Sequence, residues 1–339
     1  DEVIRFADHT GDSLKLARVA AEQPDAKYIV FCGVHFMAES ADILSADDQA
    51  VLLPHLRAGC SMAEMADEPA VADALAVLDR STAARVVPVT YVNSTAAVKA
   101  VTARHGGACC TSSNVRNVFA WALAPEAEGG AGADKVFAVP DQHLGRNTAV
   151  AMGYDEADCA VYDPREPGGG LADADIDRAT FLLWKGHCCV HQVFTQRHIR
   201  EMRRAHPELR VIVHPECPRR IVAHADAAGS TEQIIGAVAA AEPGSAWAIG
   251  TERNLVQRLA EAYADREVYL LSESDRPALC RQMARIDLPH LLWVLDGLVG
   301  GETRNRVTVE PEVAAEARVA LQRMIDIKAV ASVTAPADR

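Results

Sequence analysis

The strongest constraint on this chain's fold is a single order of elements that occurs three times. Short β-branched runs (YIVFCGV, AVLLPHL, RVVPVTYVN, KVFAVP, TFLLWKG, LRVIVHPE, SAWAIGT, EVYLLSE) alternate with helical patterns such as STAAVKAVTARH, STEQIIGAVAAA and NLVQRLAEAYADR. Alternation of this kind predicts an α/β architecture with parallel sheets. In the last third, VIVHPE ends a strand, GST opens a helix, WAIG ends a strand at Gly250, and Cys280 follows the strand EVYLLSE. The middle third has YVN, CTSSN, VFAVPD and TFLLWKG leading to Cys188. The first third lacks an opening strand but has GDSLKLA, VFCGV and VLLPHL leading to Cys60. Ser13 to Gly33 and Ser230 to Gly250 are both 20 residues, and Gly33 to Cys60 and Gly250 to Cys280 are 27 and 30. Pro140 to Cys188 is 48, but 24 of these form the Asp/Gly/Pro-rich stretch Gly153–Ile176, read as an inserted surface excursion.

The expected fold is therefore three similar parallel-sheet βαβαβ-type domains around a pseudo-threefold axis. The boundaries fall at 1–82, 83–205 (with the insertion 153–176) and 206–339, the last including C-terminal helices. Ligands of such sheets gather beyond the carboxyl ends of the strands. Three units around one axis would thus aim equivalent residues at one point. The chain begins at Asp1 within the helix-like pattern VIRFADHTGDSLKLARVAAEQ, which reads as a missing N-terminus.

The repeat sorts the cysteines. There are nine, an odd number in a large chain without an export signal, so buried thiols or metal ligands are better readings than a disulfide framework. No C-x2-C pair is present, which argues against an ordinary zinc finger. Cys60, Cys188 and Cys280 occupy the equivalent position. Cys189, Cys109 and Cys110 do not, although they sit in the conspicuous pairs GHCCVH and GACCTS. Three thiolates suit zinc with a histidine, His187 or His191 being nearby, or a [4Fe–4S] cluster with one iron left open. An open iron is a Lewis acid suited to dehydration or lyase chemistry.

Other polar groups recur at the strand ends. Ser13, Ser112 with Ser113, and Ser230 with Thr231 precede helices, where hydroxyls and free N–H groups either cap the helix or bind phosphate and carboxylate. His214 and Glu216 in HPEC are candidates for acid–base work, the other reading being a surface turn opened by Pro215. Tyr91 and Asn93 close the equivalent strand of the middle unit and share one face. His191, three residues after Cys188, falls on the same side of a helical turn.

Taken together, GDSLKLA, GVHFMAE, GCSMA, YVNSTAAVKA, CTSSN, PDQHLGRNTA, GHCCVHQ, VIVHPECP, GSTEQ, IGTERN and CRQM resemble the quinolinate synthase family of de novo NAD biosynthesis. The resemblance runs from residue 8 to about residue 300. It implies three similar α/β domains around a [4Fe–4S] cluster held by Cys60, Cys188 and Cys280. It also implies condensation of iminoaspartate with dihydroxyacetone phosphate to quinolinate, with loss of phosphate and water. The family's substrate-contacting positions fall on Ser13, Tyr91, Asn93, Ser112, His191, His214, Glu216, Ser230 and Thr231. Glu216 is expected as general base, with His191, His214 and Tyr91 in the catalytic group. A His-x-Tyr motif of the family is expected upstream of Asp1, so activity of the chain as it stands hinges on residues this sequence does not contain. An aspartate oxidase or dehydrogenase would supply the iminoaspartate.

Charge and hydropathy narrow the field further. The formal net charge is −13 with no Lys/Arg run, so nucleic acid is not an expected partner. No apolar run has the length of a membrane span, and a cytoplasmic location is expected. A Rossmann-type dehydrogenase is disfavoured because no G-x-G-x-x-G follows a strand. A non-enzymatic Fe–S or zinc sensor on the same fold is the alternative; it would need the three cysteines but not Tyr91, Asn93, His214 and Glu216.

Overall fold

The computed structural model describes residues 2–272 and 278–327. Glu273, the last residue of EVYLLSE, and the end of the third unit, 328–339, lie outside the described residues. The chain is α/β and forms three sheets. The first contains β1 (Tyr28–Val30) and β2 (Ala50–Leu52), which are parallel. The second is built from β3 (Val86–Tyr91), β4 (Ala108–Cys110), β5 (Lys135–Val139), β6 (Cys159–Tyr162) and β7 (Phe181–Trp184), in the order β4-β3-β5-β7-β6 and parallel throughout. The third is built from β8 (Arg210–Val213), β9 (Ala227–Ala228), β10 (Ala246–Gly250) and β11 (Glu267–Leu270), in the order β11-β10-β8-β9 and also parallel. A last short strand, β12 (Arg306–Val307), returns to the first sheet and pairs antiparallel with β2.

The threefold repeat is visible in strand order. Without β6, the second sheet runs second–first–third–fourth strand in chain order, as the third sheet does. The two strands of the first sheet correspond to the last two of each other unit. Strands such as VVPVTY and KVFAV are buried nearly throughout, as expected where helices cover both faces of a parallel sheet.

Gly153–Ile176 differs from the surface excursion expected. It contains β6, which pairs in register with β7 from Cys159↔Phe181 to Tyr162↔Trp184. Ala160, Tyr162 and Ile176 join the buried cluster formed by Phe137, Leu182 and Trp184. Gly169 has a left-handed backbone (φ 71°), and a Cβ there would lie 2.1 Å from the Tyr162 ring. Only glycine lets the loop close over that ring. The helix-like pattern at the N-terminus is also broken, into a 3-10 turn Glu2–Phe6 and a helix Ser13–Ala21. Asp12 ends the break by capping the helix, accepting from Lys15 N at 2.9 Å. β4, β6, β9 and β12 escaped the sequence reading because their two to four residues are not embedded in a longer apolar run, as those of β1 and β2 are, and alone show no period.

The C-terminal stretch does not stay with the third sheet. The helix Pro311–Asp326 packs on the helix Ala96–Arg104 and on β4. It buries Ala317, Ala320, Leu321 and Met324 in the cluster that also holds Phe36 of the first unit and Phe119 of the second. One continuous core thus spans the first two units.

Candidate functional site

The three repeat-related cysteines sit in matching turns. Each precedes a short 3-10 turn: Ala63–Met65, His191–Val193 and Met283–Arg285. Each thiol receives the backbone N–H groups two and three residues on: Met62 and Ala63 for Cys60, Val190 and His191 for Cys188, Gln282 and Met283 for Cys280. Each turn is tied at the same place. The first residue of the helix after the third-type strand donates its N–H to the carbonyl two residues before the cysteine. These bonds are His35 to Ala58 (2.7 Å), Gln142 to Gly186 (3.1 Å) and Arg253 to Ala278 (2.7 Å). In two units the residue before that helix is acidic and reaches the cysteine backbone. Glu252 Oε1 accepts from Cys280 N at 3.3 Å, and the Asp141 carboxyl faces the Cys188 N–H. The first unit has Val34 there, with no side-chain acceptor.

Cys60 lies close enough to Cys280 and to Glu216 for their charges to interact, as Cys188 does to Glu216. All three thiols are half-buried. Cys109 and Cys110 are instead core residues of β4, Cys159 is buried at the start of β6, and Cys189 is exposed. Burial pushes the Cys60 thiol up to about 12 and raises Cys188 and Cys280 as well, while the N–H groups pull each back. Free thiols in these positions hold their protons, and a metal must displace them. Among the described residues, Cys188, His191 and Glu216 place one ligand atom each within 4.8 Å of one another and could hold a metal ion.

Beside the cysteines lies a buried polar chain. His214 and Glu216 follow just beyond the carboxyl end of β8 and are 4% and 3% exposed. Glu216 Oε1 accepts from the Tyr91 hydroxyl at 2.6 Å, and Oε2 accepts from His191 Nδ1 at 2.8 Å. His191 Nε2 lies 3.2 Å from Thr251 Oγ1, so the hydroxyl donates to it when Nδ1 carries the proton. Glu216 N donates to His214 Nδ1 at 3.3 Å, which leaves the Nε2 proton facing Ser112 Oγ at 3.2 Å. The two imidazoles are stacked, centroids 4.5 Å apart.

The electrostatics separate the carboxyls. Burial works against the Glu216 charge, but His214, His191 and the hydrogen bonds from His191 and Tyr91 outweigh it and hold the group at about 2. Burial drives His214 down to about 3, so it is neutral, although Glu216 acts to raise it. Asp141, at the end of β5, is pushed well above the carboxylate range by burial and by the Glu216 charge, against N–H bonds from Leu144 and His143. The two carboxyls are thus pushed in opposite directions, the pattern expected where acid and base roles divide.

The helix starts meet on the other side. Ser113 Oγ donates to Asp12 Oδ2 at 2.6 Å and lies 2.9 Å from Ser230 Oγ; Asp12 N donates to Glu232 Oε1 at 3.3 Å. The starts of helices Ser13–Ala21, Val115–Leu123 and Thr231–Ala239, one per unit, therefore converge. Ser13 and Thr231 are the first residues of their helices and are half-buried, as is Asn93 two residues beyond β3. Ser230 is a full cap, in a reciprocal pair with Gln233. Ser112 turns toward Tyr91 and His214, while its neighbour Ser113 joins the helix starts. Sequence reasoning missed Asp12, Asp141, Thr251 and Glu252. Asp12 lay in view beside Ser13, and the other three follow β5 or β10 at the repeat position marked by Pro140 and Gly250.

The family model of the Quinolinate synthetase A protein matches residues 1–326. The chain is 53% identical over 327 residues to the quinolinate synthase of Geobacillus kaustophilus, covering 96% of this chain and 86% of that one. It is 52% identical over 329 residues to the quinolinate synthase of Streptomyces coelicolor, covering 96% and 81%. A match across all three sheets, at half identity with relatives named as enzymes, places this chain in the quinolinate synthetase A family of enzymes.

Proposed function

We propose that the protein condenses iminoaspartate with dihydroxyacetone phosphate to quinolinate, releasing phosphate and water, with a [4Fe–4S] cluster on Cys60, Cys188 and Cys280. The observation that carries the reading is the threefold turn, in which one half-buried thiol per unit faces two backbone N–H groups. Such donors offset thiolate charge and tune iron–sulfur centres, so the residues fit the group. When bound, a cluster with three protein ligands supplies one open iron as a Lewis acid.

The chain's own residues do the rest. Glu216, ionised and held by Tyr91 and His191, is positioned to accept a proton from substrate carbon or nitrogen. Neutral His214 presents its Nε2 proton, with Ser112 as its present acceptor, and orients a carboxylate. His191 relays between Glu216 and Thr251. Asn93, Ser112 and the helix starts at Ser13, Ser230 and Thr231 hold phosphate and carboxylate groups, since N–H donors and the helix dipole favour anions at such starts. The reading takes 1–82, 83–205 and 206–339 as the three units, with β12 and the helix Pro311–Asp326 of the last crossing back onto the first two, and an aspartate oxidase or dehydrogenase as the source of iminoaspartate. It places the protein in the cytoplasm; among the described residues no helix is long and apolar enough to cross a membrane.

The test is iron and acid-labile sulfide per chain in protein purified without oxygen, alongside the visible spectrum. About four of each, lost in air, is the expected result. One zinc without sulfide would move the metal to the Cys188, His191 and Glu216 group and sink the cluster assignment.

A further inference from the structure

We infer that Asn147 is a positioning residue for catalysis: its amide, reaching across from the second unit, holds the Pro215–Cys217 turn and so sets the Glu216 carboxylate between Tyr91 and His191. The inference rests on the reading of Glu216 as the base. Asn147 lies in the helix Gln142–Ala151 and is 6% exposed. Its Nδ2 donates to Pro215 O at 2.8 Å and to Cys217 O at 2.8 Å, the two carbonyls that flank Glu216. One amide nitrogen has two hydrogens, and both are used. The opposite orientation would turn Oδ1 against two carbonyl oxygens, so the chemistry sets the orientation seen.

Oδ1 is buried with no hydrogen-bond partner among the described residues. A buried unpaired amide oxygen forfeits its hydration without a replacement bond. Asparagine is therefore a poor choice for packing alone at this position, and its two donated bonds are the compensating gain. The same helix is fastened at its first residue, where Gln142 N donates to Gly186 O in the Cys188 turn. One rigid rod thus contacts the Cys188 turn at its start and the Glu216 turn midway along. The third unit also secures that turn, through His214 N to Gly250 O at 3.0 Å and Cys217 N to His214 O at 3.0 Å. Losing the Asn147 bonds is then expected to shift the carboxylate rather than unfold the turn.

The experiment compares Asn147→Asp, Asn147→Ala and Glu216→Gln with the unaltered chain, by steady-state turnover and by bound metal. Asn147→Asp keeps shape and removes both donors. Misplacing a reacting group by about 1 Å costs up to about 100-fold. The expected result is kcat down about 10- to 100-fold in both Asn147 variants, with KM within about twofold and metal content unchanged. A second readout excludes a merely structural role. Lowering pH protonates the introduced carboxyl and returns one donor, so the activity of Asn147→Asp relative to the unaltered chain rises toward acid, while that of Asn147→Ala stays level. If both Asn147 variants keep normal kcat while Glu216→Gln is impaired, the positioning role is wrong and the base assignment stands. If Glu216→Gln turns over normally, the base assignment itself falls, and the inference with it. Should Asn147→Asp and Asn147→Ala fail to fold, Asn147→Ser, which keeps one short donor, is judged by the same kcat criterion.

Discussion

At the scale of single residues, the site is a set of buried groups whose partners come from different units. Glu216 is the clearest case, bonded to Tyr91 and His191 of the middle unit. Glu216→Gln keeps the shape but removes the charge and is expected to lower turnover about 10²–10⁴-fold, the usual range for a general base, with bound metal retained. Turnover assayed beside metal analysis checks this; loss of metal together with activity would instead make Glu216 a ligand. The cysteines divide just as sharply. Cys60→Ser, Cys188→Ser and Cys280→Ser should each lower bound metal, whereas Cys189→Ser and Cys110→Ser should not, because Cys189 is exposed beside the turn and Cys110 is buried within β4. Metal and sulfide counts on the five variants decide it. The sequence picked these residues without any structure, because position in a repeat is a one-dimensional property. It did not pick Asp141 or Thr251, whose roles come from what packs against them.

At the scale of elements, the inserted stretch is the informative part. Its Asp/Gly/Pro-rich composition reads as loop, yet it supplies β6 to the edge of the second sheet. Four residues are enough for a strand when a neighbour such as β7 is already formed, since tertiary pairing overrides weak local preference. Just after β6, the Asp163 carboxylate bonds Arg165 and Lys185. Those two partners, Arg165 foremost, hold it below the usual aspartate range. A depressed folded-state pKa stabilises the fold above the unfolded value of about 4, and that stabilisation is lost as pH falls through the folded value. Asp163→Asn is therefore expected to unfold more readily than the unaltered chain at pH 7, with the gap narrowing as pH falls below about 4. Denaturant melts at neutral and acid pH measure the gap; one that does not change with pH would assign the effect to packing.

At the scale of the whole molecule, three sheets are joined by the convergence of their helix starts and by a C-terminal helix that crosses back. Leu321 of that helix is fully buried against the first two units. Leu321→Ala should cost about 2–5 kcal/mol through lost burial and the cavity left behind. Thermal unfolding would read this as a fall of several degrees, and an unchanged midpoint would mean the helix is not part of the cooperative core. By itself the sequence determined the α/β class, the threefold order and which three cysteines take equivalent places in it. These are carried by periodicity, spacing and motif, which need no coordinates. Only the tertiary structure decided that Asp12 rather than Ser13 caps the first helix, that Ser112 and Ser113 serve different clusters, that 153–176 completes a sheet, and that Asn147 grips the Glu216 turn. Each of those depends on which distant backbone or side chain arrives within about 3 Å, the reach of a hydrogen bond, and packing sets that distance rather than local preference.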